Sequence, residues 1–137
     1  MLLSAPATIL TAAVNLLAVL IALWTAILVA RTRRRVGISP PAMSGSPELD
    51  CAVRVQANTV EQFIIFLPAL WLAAIYFQGW IPPLVGLAWC LGRIVYALCY
   101  TAGNPGKRAP GFLISIVSTL ALVILALFGL VQAAMVS

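Results

Sequence analysis

Arg54-Val55-Gln56-Ala57-Asn58-Thr59-Val60-Glu61-Gln62-Phe63 leads without a break into an apolar run that ends near Phe77. The apolar part alone, Phe63 to Phe77, is too short to cross a bilayer, which takes ~20 residues of helix. The polar stretch therefore belongs to the same helix and enters the membrane with it. At about 3.6 residues per turn, Arg54, Asn58, Glu61 and Gln62 fall at i, i+4, i+7 and i+8 and share one face. A carboxylate, a guanidinium and amides on one stripe can face a partner helix or a cavity, but not lipid. Ionisable groups at that depth are costly and mark working sites.

The rest of the chain has the composition of a membrane protein. It has 137 residues, of which 64% are hydrophobic and 8% charged, where a soluble domain carries about a quarter charged residues. Too few polar residues remain for a separate soluble domain, so residues 1–137 read as one unit. The net charge is +5, and its placement carries the information. Arg31, Arg33, Arg34, Arg35 and Arg54 surround the first connection, and Lys107 and Arg108 lie in the third. A nucleic-acid binder spreads such residues over a soluble surface, which is absent here, so nucleic acid is not an expected partner. The positive-inside rule accounts for them and puts both basic connections in the cytoplasm; short loops and few acidic residues suggest a bacterial inner membrane. Cys51, Cys90 and Cys99 are odd in number and lack CxxC spacing, so they imply no disulfide framework. With no histidine in the chain, a metal site is not expected.

Four spans follow from the hydropathy. The first runs from about Ala5 to Ala30, is uncharged, and is closed by the arginine cluster. It is too long for a signal-peptide core and lacks a basic leader, so it reads as a retained helix. Asn15 is its most polar side chain and needs a partner across a helix interface. The loop that follows contains Gly37, Pro40, Pro41, Gly45 and Pro47. The second helix runs from Glu48 to Phe77, opened by Pro47 and by acids suited to a helix N-terminus. The third, Pro83 to Ala102, carries Arg93, Tyr96 and Tyr100 at i, i+3 and i+7. The fourth, Gly111 to Val136, is uncharged, with Ser115, Ser118, Thr119 and Gln132 as its polar groups. Glu61 is the only acid at the depth of Arg93, so an ion pair between them is the expectation.

Each polar group also has a purely structural reading. Asn58, and Glu61 with Arg93, could simply hold helices together, and tyrosines near an interface are often belt residues. The first arginine cluster reads mainly as a topology signal. Taken together, however, one membrane end collects several arginines, a glutamate, amides and tyrosine hydroxyls beside greasy helices. That suits a small anionic or zwitterionic ligand next to an apolar one, with guanidinium forks taking carboxylates.

The run from Arg54 to Phe63, with Phe66-Leu67 and Leu70-Trp71, resembles the signature of the MAPEG family, the membrane-associated proteins of eicosanoid and glutathione metabolism. Ser39-Pro40-Pro41 is similar to the family's first loop. Gly92-Arg93-Ile94-Val95-Tyr96 with Tyr100, then Lys107-Arg108-Ala109-Pro110, resembles its third helix and following loop. The resemblance implies a left-handed bundle of four transmembrane helices assembled as a homotrimer. Glutathione would lie between subunits near the cytoplasmic side, and a lipophilic co-substrate would arrive from the membrane lipids. By the same resemblance Arg54, Asn58 and Glu61 would hold glutathione, with Gln56 as a neighbouring contact and Arg34 at a carboxylate. Arg93, Tyr96 and Tyr100 would line the pocket. Gln62 stands where the leukotriene-forming branch of the family carries a tyrosine. The thiol-activating cation falls on Lys107 by an ungapped count and on Arg108 after a one-residue shift, and Arg108 is preferred.

The function implied is a membrane-bound glutathione transferase, with peroxidase activity as a further possibility, acting on lipophilic electrophiles in detoxification or eicosanoid-like chemistry. The alternative within the family is a non-catalytic lipid-binding scaffold. A small multidrug transporter has similar size and hydropathy but needs a carboxylate in its first helix, which this chain lacks.

Overall fold

A computed structural model of the chain describes residues 5–136; positions 1–4 and 137, which the single-unit reading includes, lie outside the described residues. Four helices carry the fold: α1 (Ala5–Val36), α2 (Pro47–Tyr76), α3 (Ile81–Cys99) and α4 (Ala109–Val136), with a 3₁₀ turn at Pro105–Arg108 leading into α4. All four are long and apolar enough to cross a membrane. A chain of such helices satisfies its backbone hydrogen bonds internally, as hydrocarbon requires, and is an integral multi-pass membrane protein.

The ends of the helices follow from local chemistry. The arginine cluster does not stop α1; the helix runs past Ala30 through Arg31, Arg33, Arg34 and Arg35 to Val36. Cations in a last turn are favoured by the negative end of the helix dipole, so they extend the helix. The stop is Gly37, whose φ of +72° is left-handed and costs glycine little. Ser46 caps α2, its hydroxyl accepting from the Leu49 amide at 3.1 Å, with Pro47, Glu48 and Asp50 in the first turn. Arg35 reaches across from α1 to Glu48 at 2.6 Å and ties the two helix ends together. α3 ends at Cys99, short of Ala102, because Tyr100 turns extended at ψ 91°.

The bundle interior is built on Phe66 of α2 stacked against Trp89 of α3, with ring centroids 3.9 Å apart. Val14, Ala18 and Ile21 of α1, Leu70 of α2 and Leu122 of α4 pack in the same cluster. Asn15 finds its partner: its Oδ1 accepts from Trp71 Nε1 at 3.1 Å. The outer surface is apolar, with Leu16, Leu20, Leu23, Leu120, Ile124 and Leu127 exposed. On a soluble monomer that much exposed apolar surface would be a liability; in a bilayer it faces acyl chains.

α3 packs most extensively on α4, and glycines set how closely. A Cβ on Gly111 would lie 2.3 Å from the Tyr96 backbone nitrogen and 2.7 Å from the Gly92 carbonyl oxygen. A Cβ on Gly92 would lie 2.6 Å from Ser115 Oγ. Close approach through small residues is how membrane helices gain packing without a hydrophobic driving force. Gly111→Ala is therefore expected to lower the thermal midpoint in detergent, at a cost of about 1–3 kcal/mol for overpacking. Gly103→Ala, with nothing within 4 Å of its Cβ, should leave the midpoint unchanged. Equal midpoints for both variants would refute the close crossing.

Candidate functional site: a cationic cavity at the basic end

The N-terminal half of α2, the end of α3 and the start of α4 enclose a cavity of about 290 Å³, lined by Arg54, Asn58, Tyr96, Tyr100, Arg108, Ala109 and Phe112. Five residues singled out in the sequence thus converge on one space. Helical spacing puts Arg54 and Asn58 one turn apart on α2. Tyr96 and Tyr100 are one turn apart at the end of α3, with ring centroids 5.6 Å apart. The 3₁₀ turn carries Arg108 over the far ring, its Cζ 4.9 Å from the Tyr100 centroid. A guanidinium on an aromatic face is held by the ring quadrupole; Arg108 Nη1 also donates to the Pro105 carbonyl oxygen at 3.5 Å, and its other donors are left for a ligand.

Arg93 is not where the sequence reading put it. It does not pair with Glu61 and does not line the cavity. It is fully buried (0% exposed), its Nη1 donating to Asn58 Oδ1 at 2.8 Å and its Nε to Ser115 Oγ at 2.9 Å. Its Cζ lies 4.3 Å from the Tyr96 centroid. The physical reason is depth. Arg93 faces the bundle interior among neutral acceptors, while Glu61 sits on the outward side of α2 and pairs there with Arg54 at 3.5 Å. Asn58 joins the two layers, its Nδ2 donating to Glu61 Oε2 at 3.4 Å.

The α2 stripe is accordingly divided. Arg54 and Glu61 are exposed, whereas Asn58 and Gln62 are buried. Gln62 does not reach the cavity, and its Oε1 has no hydrogen-bond partner among the described residues. Gln56 is half-buried on α2 and also stands outside the lining. Lys107, exposed on the 3₁₀ turn, is not part of the wall that holds Arg108. Arg34 lines a separate space of about 460 Å³ with Arg33, Gly37, Ile38 and Ser39 under the first loop. A third cavity of about 430 Å³, between α1, α2 and α3, contains Arg35, Glu48, Cys51 and the other side of Tyr100. It is larger than the first, but its one arginine is already paired with Glu48, so its charge is spent. The 290 Å³ cavity holds two arginines, and Arg108 has no carboxylate partner among the described residues.

Phe112 escaped the sequence reading, and Ala109 and Ser115 were given no site role in it. Phe112 and Ala109 are apolar residues of an apolar helix and send no signal. Ser115 was visible only as one of several polar groups on α4. A serine four residues after Gly111 was the available cue, since glycine there permits the approach that lets the hydroxyl touch α3.

A four-helix integral membrane protein with a donor-rich, cationic cavity at one end of its spans is the class that fold and site define. The chain belongs to the MAPEG family, which it matches over residues 9–128. It is 40% identical over 119 residues to an uncharacterized protein of Synechocystis sp., covering 87% of this chain and 86% of that one. It is 36% identical over 109 residues to microsomal glutathione S-transferase 2 of Homo sapiens, covering 80% and 74%. To leukotriene C4 synthase of Cavia porcellus it is 37% identical over 101 residues, covering 74% and 67%.

Both side chains of the Arg54–Glu61 pair are more than half exposed (54% and 58%), and exposed pairs contribute little to stability. Glu61→Gln should therefore change folding stability by less than about 1 kcal/mol and melt in detergent as the parent does. A large fall in the melting midpoint would mean that Glu61 holds the bundle together and would make any loss of ligand binding uninformative.

Proposed function

We propose that the chain is a membrane-bound glutathione transferase that joins the glutathione sulfur to lipophilic electrophiles dissolved in the bilayer. The observation that carries this reading is Arg108, poised over Tyr100 on the wall of a cavity that also holds Arg54, Asn58 and Tyr96. Glutathione-handling relatives support it.

A free thiol has a pKa of about 8.5, so little thiolate is present at neutral pH. A guanidinium beside the sulfur stabilises the thiolate and generates the nucleophile without any histidine. In the proposed role Arg108 is that group. Arg54 takes a glutathione carboxylate, Asn58 donates to an acceptor on the peptide, and Glu61 faces its ammonium. Tyr96 and Tyr100 line the wall against the sulfur. The thiolate attacks the electrophilic carbon, a C–S bond forms, and the leaving group departs or the adduct takes up a proton. The same thiolate can reduce a lipid hydroperoxide to the alcohol, the other peroxide oxygen leaving as water and two glutathiones being oxidised to the disulfide. The apolar walls of Phe112 and Ala109 admit the co-substrate from the lipid side.

The cavity is small for the job, since ligand pockets span roughly 300–1,000 Å³. In our reading a homotrimer completes it, and Arg34 and Gln56 of a neighbouring copy supply the second wall. The basic end lies in the cytoplasm, where glutathione is supplied. Arg108 on the cavity wall favours an enzyme over a non-catalytic scaffold, which has no use for a guanidinium without a carboxylate partner beside a ligand space.

Stopped-flow absorbance of the thiolate on detergent-purified protein tests the assignment. Arg108→Ala should lower the transferase rate at neutral pH by about a hundredfold or more, as loss of a charge-stabilising donor does. Its rate should recover as the pH rises towards the ordinary thiol pKa, because the thiol then ionises unaided. Lys107→Ala should retain thiolate formation. The reverse pattern would move the role to Lys107; no thiolate in the folded wild type would end the transferase reading.

A further inference from the structure

We propose that Ser115 and Arg93 form a positioning relay that locks the Asn58 side-chain amide in one orientation, so that the cavity meets a hydrogen-bond donor there and no acceptor. The structural part stands on contacts within the chain; its consequence for ligand binding rests on the glutathione reading.

The orientation of an asparagine amide is decided by its neighbours. A guanidinium can only donate, and an ionised carboxylate can only accept. Arg93 Nη1 lies 2.8 Å from one end of the amide, which must then be Oδ1. Glu61 Oε2 lies 3.4 Å from the other end, which must be Nδ2. A flipped amide would set its NH2 against the guanidinium and its oxygen against the carboxylate, losing both contacts at once. Asn58 Nδ2 has two hydrogens, and Glu61 takes one. The second remains for an acceptor on a ligand, and Asn58 is part of the cavity wall.

Arg93 can enforce this only if it is itself fixed. Its Nε donates to Ser115 Oγ at 2.9 Å, and Ser115 Oγ donates onward to the Gly111 carbonyl oxygen at 3.0 Å. That second bond spends the hydroxyl hydrogen and leaves the oxygen's lone pairs for Arg93. Tyr96 closes the opposite face of the guanidinium. Arg93 and Ser115 are both fully buried at 0% exposure, and neither lines the cavity. They act through Asn58 and are positioning residues. With Arg54 and Arg108 beside it, a locked Asn58 makes the wall a set of donors, which selects ligands rich in carboxylate and carbonyl oxygens.

The test is nitrogen NMR of the side-chain amide signals in detergent, followed by kinetics with glutathione. In Ser115→Ala the Arg93 Nε–H loses its acceptor. The Asn58 amide signals should then shift although Ser115 does not touch Asn58. KM for glutathione should rise about fivefold, the equivalent of one neutral hydrogen bond, while the pH profile of the rate stays in place, because neither residue is the cation beside the sulfur. Unmoved Asn58 signals, or an unchanged KM in a merely less stable enzyme, would overturn the relay. Should Ser115→Ala fail to fold, Asn58→Asp decides: it keeps an acceptor for Arg93 but turns a carboxylate to the cavity. It should fold and lose glutathione binding at least tenfold, and wild-type affinity in that variant would overturn the proposal. If the wild type itself does not bind glutathione, the transferase reading falls, and the Asn58 signals alone decide whether the relay exists.

Discussion

A guanidinium has been taken out of water in the middle of this bundle without a carboxylate to meet it. An unpaired charge in an apolar interior is among the costliest arrangements a protein can hold, and the cost falls as its donors find acceptors. Arg93 finds Asn58 on α2, Ser115 on α4 and the ring of Tyr96 on its own helix, while its Nη2 has no hydrogen-bond partner among the described residues. Three helices must therefore meet at one level for the charge to be tolerated. The glycines at 92 and 111 allow that meeting, because a single methyl at either position would collide with the neighbouring helix. The same crossing brings the end of α3 and the start of α4 against α2, and so creates the cavity.

Charge around the cavity follows from how few acids the chain has. Of three carboxylates, Glu48 is paired with Arg35 and Glu61 with Arg54. Both pairs are exposed, where an ion pair contributes little to stability; their effect is on where positive charge remains uncompensated. Arg108 is such a place, held by Tyr100 through its aromatic face. A cation fixed by a neutral ring stays available to an incoming anion, whereas one fixed by a carboxylate has already been neutralised.

Much of this was legible in the chain. The spans are visible because hydrocarbon admits only long apolar helices, and the α2 polar stripe because helical periodicity brings Arg54, Asn58, Glu61 and Gln62 to nearby faces. Tyr96 and Tyr100 were visible for the same reason, and Asn15 announced that it needed a partner. Periodicity, however, gives angle around a helix and not depth against its neighbours. It could not separate Glu61, which looks outward, from Asn58 and Gln62, which are buried farther around the same helix. The arginine cluster was read as a stop for α1, although cations at a helix C-terminus favour continuation, and the break waits for Gly37.

The sequence by itself determined four membrane helices, a basic end, and the residue types from which a site for an anionic ligand could be made, because each of these depends on the chemistry of neighbours along the chain. Only the tertiary structure decided the partner of Arg93, the placing of Arg108 over the Tyr100 ring on the cavity wall, and the entry of Ser115 into the polar network. These depend on distances of a few ångströms between helices far apart in the chain, set by how closely glycine lets backbones approach.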